Sequence, residues 1–229
     1  MNVLDHESRP GGPGHGECKG TVLKRKSGFL VVLSGPSGVG KNTVVNEVLR
    51  RVPGLRYSVS VTTRSPRPGE VDGTNYYFVS DEKFRMMCEA GEFLEWARVY
   101  GHYYGTPRRY IEEAVTTGWD VILDIDIQGA MQIRRSWPSA VFIFLLPPSL
   151  SELERRMIER GVGDPGTKRL RLASAREELA AIKDYQYAVV NDRKEDAVEA
   201  IRCIIESERH KVERCECAEF IGRLRQSGD

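Results

Sequence analysis

Apolar residues along the chain gather in a few compact blocks, separated by polar stretches of different texture. Phe29–Leu33 reads FLVVL, Val121–Ile127 reads VILDIDI and Ala140–Leu146 reads AVFIFLL. Continuous apolar runs of this length mark strands covered on both faces, as in parallel sheets. Tyr187–Val190 is a shorter run of the same kind. Lys41–Arg51, Glu152–Arg160, Lys168–Ile182 and Asp196–Cys217 have helical composition and spacing, and Pro53 with Gly54 closes the first of them. Strands alternating with helices predict an α/β fold: a core with a parallel sheet flanked by helices and joined by right-handed crossovers.

Two segments break this rhythm. Ser58–Arg109 is rich in Thr, Tyr, Arg, Pro and Gly, with short extended pieces such as Tyr76–Val79, and reads as a mixed α+β insertion. Residues 1–27 contain Gly11, Gly12, Gly14, Gly16 and Gly20 with almost no apolar residues. Such a segment buries too little surface to offset its ordering entropy and is expected to form a disordered tail.

Composition narrows the class without identifying it. The chain has 229 residues, 40% hydrophobic and 29% charged, with a formal net charge of +1. That is the profile of a water-soluble domain, and its charge balance calls for neither nucleic acid nor an acidic membrane surface. No apolar run approaches the roughly 20 residues of a membrane helix, and Met1–Gly20 has no signal-peptide core. Five cysteines, Cys18, Cys88, Cys203, Cys215 and Cys217, are odd in number and irregularly spaced. They fit a reducing cytoplasm better than a disulfide framework, and Cys215 with Cys217 reads as an incidental helical pair.

The first chemical motif lies between the first strand and the first helix. Gly35, Pro36, Ser37, Gly38, Val39, Gly40, Lys41, Asn42 and Thr43 follow the P-loop pattern G-x-x-x-x-G-K-[S/T] in its required context. Glycines let backbone N–H groups turn toward phosphate oxygens, the helix N-terminus adds its positive dipole end, and Lys41 brings a mobile cation. One position departs: Asn42 stands where a hydroxyl residue would bind Mg²⁺. Its amide oxygen can hold a hard cation directly or from the outer shell, or its presence can lower activity. The first is expected, because nucleotide phosphates and water supply most ligands of such a metal. Thr43 is no substitute, since one helical step turns a side chain by about 100°.

The second motif is Val121-Ile-Leu-Asp124-Ile-Asp126-Ile-Gln-Gly129. Two carboxylates at period two, at the end of a strand, are expected to share a face and look into the cleft at the carboxyl edge of the sheet.

The order and spacing of five segments resemble the guanylate kinase family. They are Gly35–Thr43; Ser60-Val-Thr-Thr-Arg64-Ser-Pro-Arg67-Pro-Gly-Glu70-Val-Asp-Gly-Thr-Asn-Tyr76-Tyr-Phe; Phe93-Leu-Glu95-Trp-Ala; Tyr103-Tyr104-Gly-Thr106; and Asp124-Ile-Asp126-Ile-Gln-Gly129. The likeness runs from about residue 28 to 210. It implies a P-loop NTPase core with a GMP-binding insertion and a helical lid, and transfer of the γ-phosphoryl group of ATP to GMP, and to dGMP, in purine nucleotide metabolism. Mg²⁺ is the implied cofactor, with Asn42 and Asp124 acting through water.

For the acceptor, the resemblance implies GMP contacts from Ser60, Arg64, Arg67, Glu70, Tyr76, Glu95, Tyr104, Thr106 and Asp126. The chemistry agrees with it. Guanidinium groups at Arg64 and Arg67 suit a phosphate. Guanine offers N1–H and an exocyclic amine side by side, a donor pair that a carboxylate at Glu95 or Asp126 can accept. Tyr76 and Tyr104 match phosphate-contacting phenols, Ser60 and Thr106 the residues meeting O6, and Glu70 an acid that orients the arginines or the ribose. Arg156, Arg160 and Arg171 match lid residues that join Lys41 and Arg64 in neutralising charge during transfer, and Asn191 matches a position near adenine. Gly161–Thr167 departs from the family in being less acidic and less helical.

The implied domain plan is a tail over 1–27, core with P-loop over 28–57, a GMP-binding subdomain over 58–109, core over 110–155, a lid over 156–175, and core with a C-terminal helix over 176–229. Two other functions fit parts of the pattern. One is a catalytically dead guanylate-kinase-like module that binds phosphopeptides, against which the intact Lys41 and glycines speak. The other is a kinase acting on UMP or AMP, against which Glu95 and Asp126 speak. ATP and GMP are the expected partners, and monomer and homodimer both remain open.

Overall fold

A computed structural model describes residues 23–159, 175 and 177–226. Its larger sheet contains β1 (Leu30–Ser34), β2 (Leu55–Tyr57), β7 (Asp120–Asp124), β8 (Val141–Leu146) and β9 (Tyr187–Val190) in the order β2-β7-β1-β8-β9. All its pairings are parallel, with Leu33 beside Asp124 and Ile143. The helices of this layer are α1 (Lys41–Arg51), α3 (Arg108–Thr116), α4 (Ile127–Ser136), α5 (Leu150–Glu159) and α6 (Lys194–Arg209).

The apolar runs form the central strands because alternate side chains serve opposite layers. Val31, Leu33, Ile122 and Ile143 pack with Val44 and Val48 of α1 and Ile201 and Ile205 of α6. Leu30, Val32, Val121 and Leu123 pack on the other face with Ile111 of α3 and Ile133 of α4. Each such side chain stabilises the fold by about 1.5–3 kcal/mol on leaving water.

The insertion builds a separate sheet, β4-β3-β6-β5, from β3 (Val61–Thr62), β4 (Tyr77–Phe78), β5 (Phe93–Val99) and β6 (His102–Pro107). Its small core is Val61, Phe84, Met87 and Phe93, with α2 (Asp81–Glu89) supplying Phe84 and Met87. Ser80 caps α2, its hydroxyl accepting from the Lys83 N–H at 3.1 Å.

Three expectations change. Residues 23–27 are tied to the domain: Arg25 bridges to Cys215, and its guanidinium pairs with the fully buried Asp120, which Arg209 also holds at 2.8 Å. The expected helix Asp196–Cys217 is α6, a 3₁₀ turn at Val212–Arg214, and α7 (Cys217–Gln226). The break lets Arg214 return to the buried Glu208, which also accepts from Tyr187 Oη at 2.6 Å. In the third case, the expected helix Lys168–Ile182 falls mostly outside the described residues; residues 175 and 177–179 are helical as expected, and its end is a 3₁₀ turn, Ala180–Asp184.

Candidate active site

The chain passes from the carboxyl end of β1 through Gly35–Gly40 directly into α1. Gly40 is the N-cap of that helix at φ 101°, a left-handed conformation that a side chain strains, and a Cβ there would meet Asn191 Nδ2 at 2.7 Å. The first turn of α1 has no acidic residue and no side-chain cap, so its N–H groups and dipole face outward, as anion binding requires. Lys41 curls back, Nζ donating to Gly35 O at 2.8 Å.

Asn191 follows β9 and braces this loop: its amide Nδ2 donates to Val39 O at 2.8 Å. Arg156 on α5 reaches the same rim, donating to Asn191 O at 3.1 Å and, through Nε, to Glu152 at 2.7 Å. A cleft of about 320 Å³ opens beside them, lined by Gly38, Gly40, Thr43, Arg156, Asn191 and Lys194 among others. Arg160 and Arg171 lie outside the described residues.

On the insertion, Arg64 stands in a cage. Its Nη2 donates to both oxygens of Glu70 at 2.9 Å, and its guanidinium lies 5.4 Å from the Tyr76 ring centre. Glu70 also accepts from the Arg67 N–H at 2.7 Å, so one carboxylate sets both arginines, while the Arg67 side chain is exposed. Tyr76 meets Tyr104 edge-on with centroids 5.9 Å apart. Burial, then the nearby Asp124, pushes the Tyr76 phenol up to about 12, so it stays a hydrogen-bond donor at neutral pH.

At the floor of this region Glu95, on β5, is 4% exposed and accepts from Thr106 Oγ1 of β6 at 2.5 Å. Burial raises its carboxyl to about 8; the Thr106 bond lowers it, and Asp126 raises it further. Glu95 also explains Gly129: a Cβ there would stand 2.3 Å from Glu95 Oε2. Ser60 is buried just before β3, and its carbonyl accepts from the Tyr77 N–H.

The two aspartates do not share a strand face as expected. β7 ends at Asp124, whereas Asp126 is the N-cap of α4, its Oδ1 accepting from Gln128 N–H at 2.6 Å and Gly129 N–H at 3.1 Å. The chain has already turned into the helix, so period two no longer applies. Asp124 influences Tyr57 and Tyr76, and Asp126 influences Glu95.

Among the described residues no three His, Cys, Asp or Glu side chains cluster to hold a metal. Asp124, level with Leu33 just before the loop, and the exposed Asn42 are single oxygen donors, suited to a cation held mainly by phosphates and water. No helix among the described residues is long and apolar enough to cross a membrane.

The sequence did not single out Glu178. Burial raises its half-buried carboxyl, Lys41 and the Ser37 backbone lower it, and Asp126 raises it again. A lone acid in a charged stretch carries no signal without the fold.

The family model described as guanylate kinase matches residues 27–208. The guanylate kinase of Desulfitobacterium hafniense is 47% identical over 192 residues, covering 84% of this chain and 96% of that relative. The guanylate kinase of Lactiplantibacillus plantarum is 50% identical over 190 residues, covering 82% and 92%. A crystal structure of guanylate kinase from Anaplasma phagocytophilum superposes with a TM-score of 0.75 at 35% identity, covering 90% of this chain and 99% of that one. By sequence and by fold, the chain belongs to the guanylate kinase family.

Proposed function

We propose that this chain transfers the γ-phosphoryl group of ATP to GMP, and to dGMP, releasing ADP and GDP, or dGDP from dGMP. The observation that carries the acceptor reading is Glu95. It is a carboxyl buried at the floor of the insertion, beside Asp126, with a threonine hydroxyl as its partner. A buried acid of this kind is costly unless a ligand supplies donors. Guanine supplies N1–H and its amine; adenine presents no such pair. Ser60 and Thr106 lie at the O6 side.

Arg64 and Arg67, set by Glu70, take the acceptor phosphate with the Tyr76 and Tyr104 hydroxyls. Gly35–Thr43 takes the ATP phosphates and Lys41 swings onto their outer oxygens, while Asn191 and the cleft beside it take adenine. The GMP phosphate is already an anion, so no base is needed. Its oxygen forms a bond to the γ-phosphorus as the bond to the ADP oxygen breaks, and catalysis is positioning and charge neutralisation. Lys41, Arg64, Arg156, Arg160 and Arg171 supply that charge. Mg²⁺ is the proposed cofactor: Asn42 and Asp124 would help to hold it through water, and it would supply neutralising charge to the ATP phosphates.

In domain terms the reading takes 28–57, 110–155 and 176–229 as core, 58–109 as acceptor subdomain and 156–175 as lid. The proposed setting is cytoplasmic. A coupled ADP-release assay across GMP, dGMP, AMP, UMP and CMP tests it. Turnover is expected with the two guanine nucleotides, and equal turnover with AMP would overturn the acceptor assignment.

A further inference from the structure

β5 is the last strand of its sheet, so one of its edges has no neighbouring strand. At Trp96 that edge is met by a side chain from the core. Gln132 of α4 accepts from the Trp96 N–H through Oε1 at 3.3 Å and donates from Nε2 to the Trp96 carbonyl at 2.7 Å. One amide thus satisfies both backbone groups, as the peptide of a partner strand would. The Trp96 N–H belongs to the peptide that follows Glu95, so the grip falls on the unit that carries Glu95. Asp126, Gly129 and Gln132 are spaced by three along α4 from its N-cap onward and share a face. Gly129 lies against Glu95 with no room for a Cβ, and one turn later Gln132 holds the next residue of β5. Leu94 also joins β5 to α4, packing with Ala130 and Ile133. Apolar contact is non-directional and holds the strand down, whereas two hydrogen bonds at set angles also fix its register. The pairing of β5 with β6 is irregular between Phe93 and Glu95, so the ladder alone does not hold this stretch.

We propose that Gln132 is a positioning residue for base recognition: it stands in for a strand at the open edge of β5 and so holds the Glu95 carboxylate in reach of the guanine N1–H and amine. A carboxylate that accepts two donors at once tolerates little displacement, because each hydrogen bond weakens steeply as its angle closes. Arg64, by contrast, is set by Glu70 within its own stretch of chain and does not depend on Gln132. Gln132 therefore acts on the base and not on the phosphate. The inference rests on Glu95 being the residue that reads guanine.

Titration calorimetry on the full chain tests both layers, with GMP, ATP and inosine monophosphate, which keeps the phosphate and the N1–H but lacks the amine. Gln132→Met keeps the length of the side chain and removes both hydrogen bonds. It is expected to weaken GMP binding about tenfold and inosine monophosphate by less, with ATP unchanged. In a Glu95→Gln background the same change is expected to cost GMP far less, because the group it positions is already lost. Equal weakening of the two acceptors by Gln132→Met would overturn the inference, as would a full cost in the Glu95→Gln background or a parallel loss of ATP affinity. Glu95→Gln alone separates the two readings. If it binds GMP with native affinity, the acceptor reading itself fails; if it loses GMP while Gln132→Met leaves all three ligands unchanged, only the positioning role is wrong.

Discussion

The sheet that carries the P-loop is covered on both faces, with α1 and α6 on one side and α3 and α4 on the other, and its central strands are almost wholly apolar and buried. The sheet of the proposed acceptor region has a core of four buried residues, beside an arginine cage and one buried acid. Rigid backbone, held by deep packing, suits a cradle made of N–H groups. A region that reads a base and a phosphate through side chains can be thin, and it is expected to open at lower free energy than the core.

The largest test of that contrast is Phe84→Ala. Phe84 is 1% exposed and stacks on Phe93 and Tyr103 with centroids 4.6 and 5.3 Å apart. Its loss should destabilise the acceptor region by about 3–5 kcal/mol. Calorimetry should find GMP binding abolished and ATP binding retained; a parallel loss of both would show one cooperative unit. Next comes Glu95→Gln, which keeps an acceptor for Thr106 but presents a donor to guanine. It should weaken GMP binding by about 2–3 kcal/mol, with ATP affinity as the control.

Proton linkage sharpens the same point more gently. Glu95 is raised to about 8 by burial, yet guanine needs it ionised. Between about pH 6.5 and 8, GMP affinity should therefore rise with pH by up to roughly tenfold per unit and then level off. Measurements in buffers of different ionisation enthalpy should show proton release on binding, and Glu95→Gln should flatten the slope. A flat native profile would mean that Glu95 is already charged. The smallest effect is expected from Asn42→Ser, with turnover in Mg²⁺ unchanged or higher. A collapse would give the exposed amide a dedicated task in holding the cation.

The same contrast governs what the sequence discloses. β1, β7, β8 and β9 were legible to within a residue or two, save where Val121–Ile127 overran the turn at Ile125, because double-sided burial writes itself as unbroken apolar runs. The acceptor sheet was legible only as a mixed insertion. β3 and β4 are two residues each, and they owe their pairing to partners far along the chain. The motif residues were legible by family resemblance, and with them Glu70 as an acid orienting the arginines or the ribose, but other partners were not. That Thr106 donates to Glu95, or that Gly129 makes room for Glu95, depends on packing across elements. The end of α6 at Arg209 has no glycine or proline to announce it. A tertiary contact at Glu208 decides it instead.

β7 carries an acid at each end, separated by four residue steps, about 13 Å in extended chain. Asp120 is clamped by Arg25 and Arg209 from the two outer stretches of the described chain, while Asp124 is level with Leu33, just before the Gly35–Gly40 loop. Mechanical load on either stretch is thus received at the foot of the strand, at the opposite end from the proposed phosphate site. A fluorophore or surface tether attached near residue 23 or 226 should leave catalysis undisturbed, giving single-molecule experiments a natural pair of handles.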